Sequence, residues 1–313
     1  MANWFGAGPL LHGRSFMPEP QGAPPVGGTR QVTGETTFGI WNEEIYQLWL
    51  DMTALWELAQ KLPPASLRRA QIERALQQLT LRVDVERPLA EVRVAAQAAR
   101  ALLQPLLECR NGSTAPLLFA FGHAHLDVAW LWPLAETERK TGRTLSNQLA
   151  LMDEYPEYVY LQSQAQLLEM LKQRYPQIYA RLAEKARSGQ LVIEGGTWVE
   201  PDTNVPSAES LIRQFLFGRR YFREEFGIQP RVFSEPDVFG YSAALPQIML
   251  GCGIRYFATQ KIMWAYNGGE RFPYNQFQWQ GVDGSRVLAH IYHNYGYETS
   301  PKHLVEAWEG RAE

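Results

Sequence analysis

The sequence has few cysteines, little net charge and no long apolar run, and each shortage removes a class of protein. Cys109 and Cys252 lie far apart and in no metal-like spacing, which excludes a disulfide framework and favours a reducing compartment. A formal net charge of -3, with dispersed Lys and Arg, leaves no basic patch for nucleic acid or a membrane surface. No stretch approaches the roughly 20 apolar residues that span a bilayer, and no signal-peptide pattern opens the chain. We therefore predict a cytoplasmic globular protein that binds neither nucleic acid nor membranes.

Three regions of the chain differ in pattern. Residues 1–39 are rich in Gly and Pro without apolar periodicity, which predicts an extended arm. Residues 40–111 repeat apolar side chains at helical spacing and predict a helical N-terminal region, with Trp49 and Trp56 on its core face. Residues 112–313 alternate short apolar runs with helix-like stretches, which is typical of a parallel sheet or a (β/α) barrel. The predicted fold class is α/β, with the helical region preceding the barrel-like catalytic domain.

The apolar runs also indicate where the strands lie. The first predicted strand covers residues 117–121, and the last two runs, 277–280 and 287–292, flank a tight Asp-Gly turn. That pair predicts a hairpin, which we expect at an edge of the sheet or as an insertion. In parallel sheets, functional groups gather at the carboxyl ends of the strands. Polar residues that follow a predicted strand are therefore the candidates for a site.

The strongest candidate cluster follows the first predicted strand. His123, His125 and Asp127 are spaced two residues apart, and in extended backbone such residues project to the same side. Imidazole with a nearby carboxylate is compatible with zinc, although further ligands must come from elsewhere in the fold. The alternative is structural: one His caps a helix or bonds to the backbone while the other packs in the core. The spacing at a strand end favours the metal.

Two further acidic clusters follow later strands. Glu235 and Asp237 lie between a predicted strand and a turn, although Asp237 could also cap a helix beginning near Ser242. Glu200 follows another strand beside Trp198, whose ring is a candidate surface for stacking a sugar. Acids beside aromatic rings are what a carbohydrate site needs, because sugar rings stack through their C–H faces and a carboxylate pair cleaves the glycosidic bond.

Three motifs resemble glycoside hydrolase family 38, the class II α-mannosidases, and within it the cytosolic and bacterial branch. They are His-Ala-His-Leu-Asp-Val-Ala-Trp at 123–130, Trp-Val-Glu-Pro-Asp-Thr-Asn-Val-Pro-Ser at 198–207 and Glu-Pro-Asp-Val-Phe-Gly-Tyr-Ser at 235–242. The likeness extends from about residue 85 to the end of the chain. It implies a retaining α-mannosidase that hydrolyses α-mannosides or mannose-containing oligosaccharides.

The resemblance also implies residue roles. His125 and Asp127 would be ligands of Zn²⁺, and Asp237 would be both a third ligand and the catalytic nucleophile. Trp130 matches a position where an aromatic ring supports the sugar, and Lys261 matches one where a cation lies near the site. His123 would be an outer hydrogen-bond partner.

By the same resemblance, the general acid and a fourth zinc ligand, a second His, would lie beyond residue 313. We therefore expect this chain to end before the barrel and the downstream helical and β domains are complete, and to be impaired on its own. The missing C-terminal part would be a partner if it exists as a separate chain. Two alternatives stay open: a non-catalytic carbohydrate-binding remnant, and a metal-dependent polysaccharide deacetylase.

Overall fold

The computed structural model describes residues 41–113, 115, 117–263, 272–292 and 300–309. The predicted arm of residues 1–39 lies outside the described residues. What is described forms two compact units: a sheet unit of residues 118–292, and a helical unit of residues 41–117 together with 300–309. The domain limits predicted from the sequence, 39 and 111, stay a prediction. Parallel strands alternate with helices in the sheet unit, so the chain is an α/β protein, as predicted.

The helices and strands follow one another along the chain in this order. They are α1 (Glu43–Lys61), α2 (Leu67–Thr80), α3 (Leu89–Leu107), β1 (Gly122–His123), α4 (Leu134–Glu154), β2 (Tyr160–Gln164), α5 (Ala165–Arg174), α6 (Pro176–Ser188), β3 (Leu191–Thr197), α7 (Ala208–Phe226), β4 (Val232–Glu235), α8 (Leu245–Gly251), β5 (Tyr256–Thr259), β6 (Gln276–Gln280), β7 (Arg286–Ile291) and α9 (Pro301–Glu309). None of these helices is both long enough and apolar enough to cross a bilayer.

The helical unit begins where a side chain caps its first helix. The side chain of Asn42 accepts a hydrogen bond from the backbone N–H of Ile45 and so satisfies one of the free donors of α1. Leu48, Leu55 and Leu103 are buried between the helices. The predicted core positions of Trp49 and Trp56 in α1 are wrong, whereas Ala59 of the same predicted face is buried. Trp49 and Trp56 are 56% and 55% exposed, because the neighbouring leucines take the inward positions at the same helical spacing.

The sheet unit contains two sheets. β1, β2 and β3 form a parallel sheet in that order, and β4, β5, β7 and β6 form a second sheet in which only the β6–β7 pair is antiparallel. A carboxylate bridges the two sheets: Glu194 of β3 accepts hydrogen bonds from the backbone N–H groups of Arg231 and Val232, at 2.9 and 3.1 Å. The carboxyl ends of β1 to β5 can therefore deliver side chains to one region.

Two strand predictions are corrected. The predicted strand at 117–121 is not a strand: pairing with β2 begins only at Gly122, and Leu117 and Phe119 are 79% and 81% exposed. Apolar composition alone cannot distinguish a strand from an exposed apolar segment. The predicted hairpin is confirmed as β6 and β7, with Gly284 at a φ of 87° in its turn, where L side chains are strained. However, β7 pairs with β5 on its other side, so only β6 lies at the edge.

Glycine brings α7 close to the end of β3. A Cβ added at Gly218 would lie 2.2 Å from the carbonyl carbon of Thr197, closer than atoms can approach. The same region is fixed by the backbone N–H of Trp198, which donates to the carbonyl of Gln214 at 3.0 Å. The loop that follows β3 is thereby held against a helix, so it presents Glu200 in a defined direction.

Candidate active site

Loops at the carboxyl ends of four parallel strands bring together the polar side chains singled out in the sequence. His125 and Asp127 follow β1, Glu200 follows β3, Asp237 follows β4 and Lys261 follows β5. A pocket of about 120 Å³ is lined by these residues except the lysine, together with Gln164 and several apolar neighbours. Four separate stretches of chain thus meet around one small polar space.

His125 lies at the centre of this cluster, with a carboxylate on each side of its ring. Its Nε2 is 3.3 Å from Oδ1 of Asp127 and 3.4 Å from Oδ2 of Asp237, and its Nδ1 is 3.0 Å from Oε2 of Glu200. Burial acts to lower the pKa of His125, but hydrogen bonds to Asp127 and Glu200 and the charges of both outweigh it, raising the pKa to about 10. Without a metal the imidazole is therefore a cation at neutral pH.

The spacing of one nitrogen and two carboxylates suits a divalent metal. Two ligand atoms of a tetrahedral zinc ion, each about 2.1 Å from the metal, lie about 3.4 Å apart. The separations of Nε2 from the oxygens of Asp127 and Asp237 are 3.3 and 3.4 Å, close to that edge length. His125, Asp127 and Asp237 form one of two groups among the described residues that could hold a metal ion. The other consists of His123, His125 and Glu200.

Asp237 pairs with a buried lysine. Nζ of Lys261, whose side chain is only 7% exposed, contacts Oδ1 of Asp237 and lies 4.9 Å from the centre of the Phe239 ring. Of the two Asp237 oxygens, Oδ2 faces the histidine and Oδ1 the lysine. The alternative that Asp237 caps the following helix is wrong, because α8 begins at Leu245 after Ala244, with no side-chain cap.

Two hydroxyl groups fix the turn that carries Asp237. Oγ1 of Thr259, on β5, donates to the backbone carbonyl of Glu235 at 2.5 Å. The hydroxyl of Tyr241 donates to the carbonyl of Val238 at 2.9 Å and also contacts the Thr259 hydroxyl. The backbone is therefore held on both sides of Asp237. The sequence analysis missed both hydroxyls, although Tyr241 falls within one of the motifs it quoted.

Glu235, the other carboxylate of this motif, is fully buried. Neither of its carboxylate oxygens has a hydrogen-bond partner among the described residues. Burial, helped by the negative charges of Glu200 and Asp202, raises the pKa of Glu235 well above its usual range. An acid in such a place stays protonated over a wider pH range than an ordinary Glu.

The aromatic candidates have different surroundings. Trp130 is 44% exposed and meets Trp132 edge to face at 5.6 Å. Nε1 of Trp132 donates to Oγ1 of Thr137, which in turn donates to the backbone carbonyl of Asp127, at 2.9 and 3.2 Å. Trp130 is thus tied to the metal-binding loop. Trp198 packs against the core and donates to Gln166, so its expected role as an open stacking surface is wrong.

The histidine of β7 lies outside the described cluster. His290, on β7, contacts Gln276 through Nδ1 at 3.4 Å and belongs to neither candidate metal group of the described residues. His293 lies outside the part of the chain that the structure describes. Of the two cysteines, Cys252 is buried and Cys109 is exposed.

The chain is similar in sequence to named α-mannosidases. It is 40% identical over 274 residues to Alpha-mannosidase 2C1 of Mus musculus and 41% identical over 269 residues to that of Homo sapiens. These matches cover 87% and 85% of this chain but 26% and 25% of the relatives. Alpha-mannosidase of Saccharomyces cerevisiae is 46% identical over 175 residues, which is 56% of this chain and 16% of that protein. The chain therefore spans about a quarter or less of the length of these relatives.

The fold and a family model agree with this similarity. The structure of an alpha-mannosidase from Enterococcus faecalis V583 superposes with a TM-score of 0.51 at 21% identity, over 61% of this chain and 22% of that one, which supports the fold alone. The model of the glycosyl hydrolases family 38 N-terminal domain matches residues 116–312. Since that match covers more than half of the sequence, the chain belongs to glycosyl hydrolase family 38.

Proposed function

We propose that this chain supplies the sugar-binding and nucleophilic part of a zinc-dependent, retaining α-mannosidase. The observation that carries the proposal is the position of His125 Nε2, 3.3 and 3.4 Å from oxygens of Asp127 and Asp237, at distances that suit neighbouring ligands of one zinc ion. Family membership supports the class of reaction. The named relatives are α-mannosidases, and we extend their substrate class, α-mannosides, to this chain.

In this proposal His125, Asp127 and Asp237 hold the zinc. Bound zinc would act as a Lewis acid that orients hydroxyl groups of the mannose at the cleavage point. The charges around the pocket favour a bound cation. Three carboxylates line it, those of Asp127, Glu200 and Asp237. Within the described residues their ion pairs are formed with His125 and Lys261. The ion would offset this excess of carboxylates.

Asp237 acts as the nucleophile. Its carboxylate attacks the anomeric carbon, the leaving oxygen departs with the bonding pair, and a glycosyl ester forms on the aspartate. Water then cleaves this ester, so the configuration at the anomeric carbon is retained. Lys261 stabilises the negative charge of Asp237 in the free enzyme and again when the ester breaks. The hydroxyls of Thr259 and Tyr241 keep the attacking group in place.

Trp130 is the proposed platform for the sugar. Its ring is half exposed and lies on the loop that carries Asp127, so a mannose held at the metal can stack on its face. Contact with Trp132 limits the motion of the ring. We further propose that the two sheets form part of a (β/α) barrel, and that the general acid and a fourth zinc ligand come from sequence outside these 313 residues.

A substrate that needs no general acid tests this proposal on the chain as it stands. A fluorinated mannosyl fluoride has so good a leaving group that it can form the glycosyl ester without protonation, and its ring fluorine slows hydrolysis of the ester. We expect zinc-dependent labelling of the 313-residue chain, located on Asp237 by peptide mass spectrometry. Labelling should vanish with a chelator and in Asp237→Ala, and the matching glucosyl fluoride should react far more slowly.

An ordinary aryl α-mannoside provides the complementary measurement. We expect the chain to hydrolyse it very slowly or not at all, because departure of a poorer leaving group requires the general acid. Labelling on a residue other than Asp237, or none in a folded and zinc-loaded sample, would refute the assignment of the nucleophile. Rapid zinc-dependent turnover of the aryl mannoside would instead show that an acid lies within these residues.

A further inference from the structure

One carboxylate of the pocket is more deeply buried than the others. The side chain of Glu200 is 3% exposed, compared with 35% for Asp127 and 24% for Asp237. Removing a carboxylate from water is unfavourable unless hydrogen bonds or an opposite charge compensate, and each oxygen left without a partner adds to the cost. Glu200 therefore requires a partner for each of its oxygens.

The partner of one oxygen is Ser163. Its hydroxyl donates to Oε1 of Glu200 at 2.8 Å. The backbone N–H of Glu200 points to Oε1 of Gln164 at 3.4 Å, and Nε2 of Gln164 donates to the carbonyl of Leu126 at 2.9 Å. Both partners belong to β2, which lies between β1 and β3. This strand thus fixes the position of Glu200 relative to the loop that carries His125.

The partner of the other oxygen is His125. Oε2 of Glu200 and Nδ1 of His125 are both buried, and neither makes a hydrogen bond of full geometry to any of the described residues. The two atoms are 3.0 Å apart. A proton on Nδ1 satisfies both of them. An ion pair at this distance is the contact within the described residues that compensates the burial of both atoms.

His123 does not compete for this carboxylate. Its Nδ1 lies 3.0 Å from the backbone carbonyl of Leu161, which can only accept, so Nδ1 carries the proton and donates. In the neutral ring Nε2 is then an acceptor with nothing to offer a carboxylate. The hydrogen bond of Glu200 is therefore directed to His125.

A proton on Nδ1 determines what the other ring nitrogen can do. In neutral His125 it leaves the lone pair on Nε2, the nitrogen that faces Asp127 and Asp237. Carboxylates that accept from the outer nitrogen of a metal-binding His fix its tautomer and orientation and make it a better ligand. Resting on the proposed function, we infer that Glu200, itself held by Ser163, is a positioning residue that presents Nε2 of His125 to the metal.

This role differs from that of a general acid. A general acid must reach the oxygen of the leaving group, whereas the two oxygens of Glu200 are engaged by Ser163 and His125. The predicted consequence is a change in metal affinity. Loss of such an outer partner reduces the affinity for the metal by about 10–100-fold.

The test measures zinc affinity of the 313-residue chain by competition with a chromogenic chelator. We expect Glu200→Gln, which keeps the shape of the side chain, to bind zinc about 10–100-fold more weakly than the parent chain. Asp202→Asn is the matched control: the residue is two positions away and exposed, and its acceptor role towards Asn204 and Val205 is kept by the amide oxygen. It should bind zinc within about twofold of the parent. Thermal unfolding without metal verifies that each variant folds.

A second readout needs no zinc. In the metal-free chain labelled with ¹⁵N, the Nδ1–H proton of His125 should give a strongly deshielded signal typical of a histidine bonded to a carboxylate. That signal should disappear in Glu200→Gln and Glu200→Ala, and remain in Asp202→Asn. If the parent shows the signal but binds no zinc, the metal of the proposed function is wrong while the Glu200 contact stands. If Glu200→Gln keeps parental zinc affinity, or the signal persists in it, the positioning role is refuted.

Discussion

The helical unit and the sheet unit bury different kinds of side chain. Within the described residues, the buried side chains of the helical unit are all apolar, as in Leu48, Ile72 and Leu103. Every buried polar or charged side chain lies in the sheet unit. By the exposure of the whole residue they are Thr137, Thr141, Gln162, Ser163, Gln164, Thr197, Thr203, Ser234, Glu235, Thr259, Gln260 and Lys261, and the side chain of Glu200, 3% exposed, joins them.

This difference follows from what each unit has to do. A buried polar group costs free energy unless it is fully hydrogen-bonded, so a core that serves only stability excludes such groups. The sheet unit accepts the cost near the ends of its strands, where Ser163 and Lys261 contact acids of the pocket and Thr259 holds the backbone that carries Asp237. The comparison teaches that buried polarity in this chain marks the site, and apolar burial marks the scaffold.

The largest expected effect is on the apolar side of the comparison. Leu103→Ala should lower the free energy of unfolding by about 2–5 kcal/mol, because Leu103 is fully buried and its truncation leaves a cavity. Urea denaturation measures the loss, and Leu81→Ala, at an 84% exposed position of the same unit, should change stability by less than about 0.5 kcal/mol. Zinc affinity should stay unchanged in both variants. A tenfold change in the zinc affinity of Leu103→Ala would contradict the separation of scaffold and site.

The next effect concerns the buried ion pair. Lys261→Met leaves the carboxylate of Asp237 beside those of Asp127 and Glu200, and should destabilise the metal-free chain by about 3 kcal/mol. Saturating zinc should reduce this loss, since the ion offsets the same charge. Lys172→Met breaks a more exposed pair, at 43% and 25% exposure with Glu225, and should cost about 0–1 kcal/mol with or without zinc. Equal losses in the two variants would show that burial of the pair is unimportant.

A pH-dependent effect isolates the cost of a buried acid. Burial raises the pKa of Glu235, so the folded state keeps its proton above about pH 4.3, where an unfolded Glu releases it. Its contribution to stability is therefore complete below that pH and is lost as the pH rises towards the folded pKa. Glu235→Gln carries no such proton. In thermal unfolding with chelator, the stability of the variant relative to the parent should increase between about pH 5 and pH 8. The increase should equal about the free energy of unfolding that the parent loses over that range. Parallel pH profiles would contradict a raised pKa.

The smallest effect should be the same in both units. Ser66 caps α2 in the helical unit and Ser207 caps α7 in the sheet unit, each accepting a backbone hydrogen bond, at 3.1 and 3.2 Å. Replacement by Ala should cost about 1 kcal/mol in each case, and replacement by Gly a few tenths. Urea denaturation of the four variants checks this. A cost confined to one unit would mean that capping depends on more than the local hydrogen bond.

Local patterns were sufficient for much of the fold. Helical spacing predicted the region that holds α1 to α3, and the last two apolar runs placed β6 and β7 within a few residues. The predictions were wrong where one sequence pattern fits two different structures. Residues 117–121 are apolar yet exposed, and on α1 the tryptophans were assigned to the core instead of the adjacent leucines. Neither error could be corrected without knowing what packs against the segment.

The candidate site likewise has residues that the sequence predicted and contacts that it did not. Spacing in the sequence indicated that His125 and Asp127 act together, because both follow one strand. The resemblance added Lys261 and the roles of Asp237 as ligand and nucleophile, and these roles stay predictions. The contacts of Glu200 with Ser163 and His125 left no local signal, since they join residues from three loops and strands.

The sequence by itself determined the type of each element, the turn at Gly284 and the supply of acids after the strands, because these depend on period, backbone preference and chain order. Tertiary structure alone decided the surroundings of each acid. Within the described residues, Asp127 is partly exposed, Glu235 is buried without a hydrogen-bond partner and Glu200 contacts His125. The reason is physical. Distances between loops depend on how strands pair and how helices pack on them, and the cost of a charge depends on the water that this packing removes.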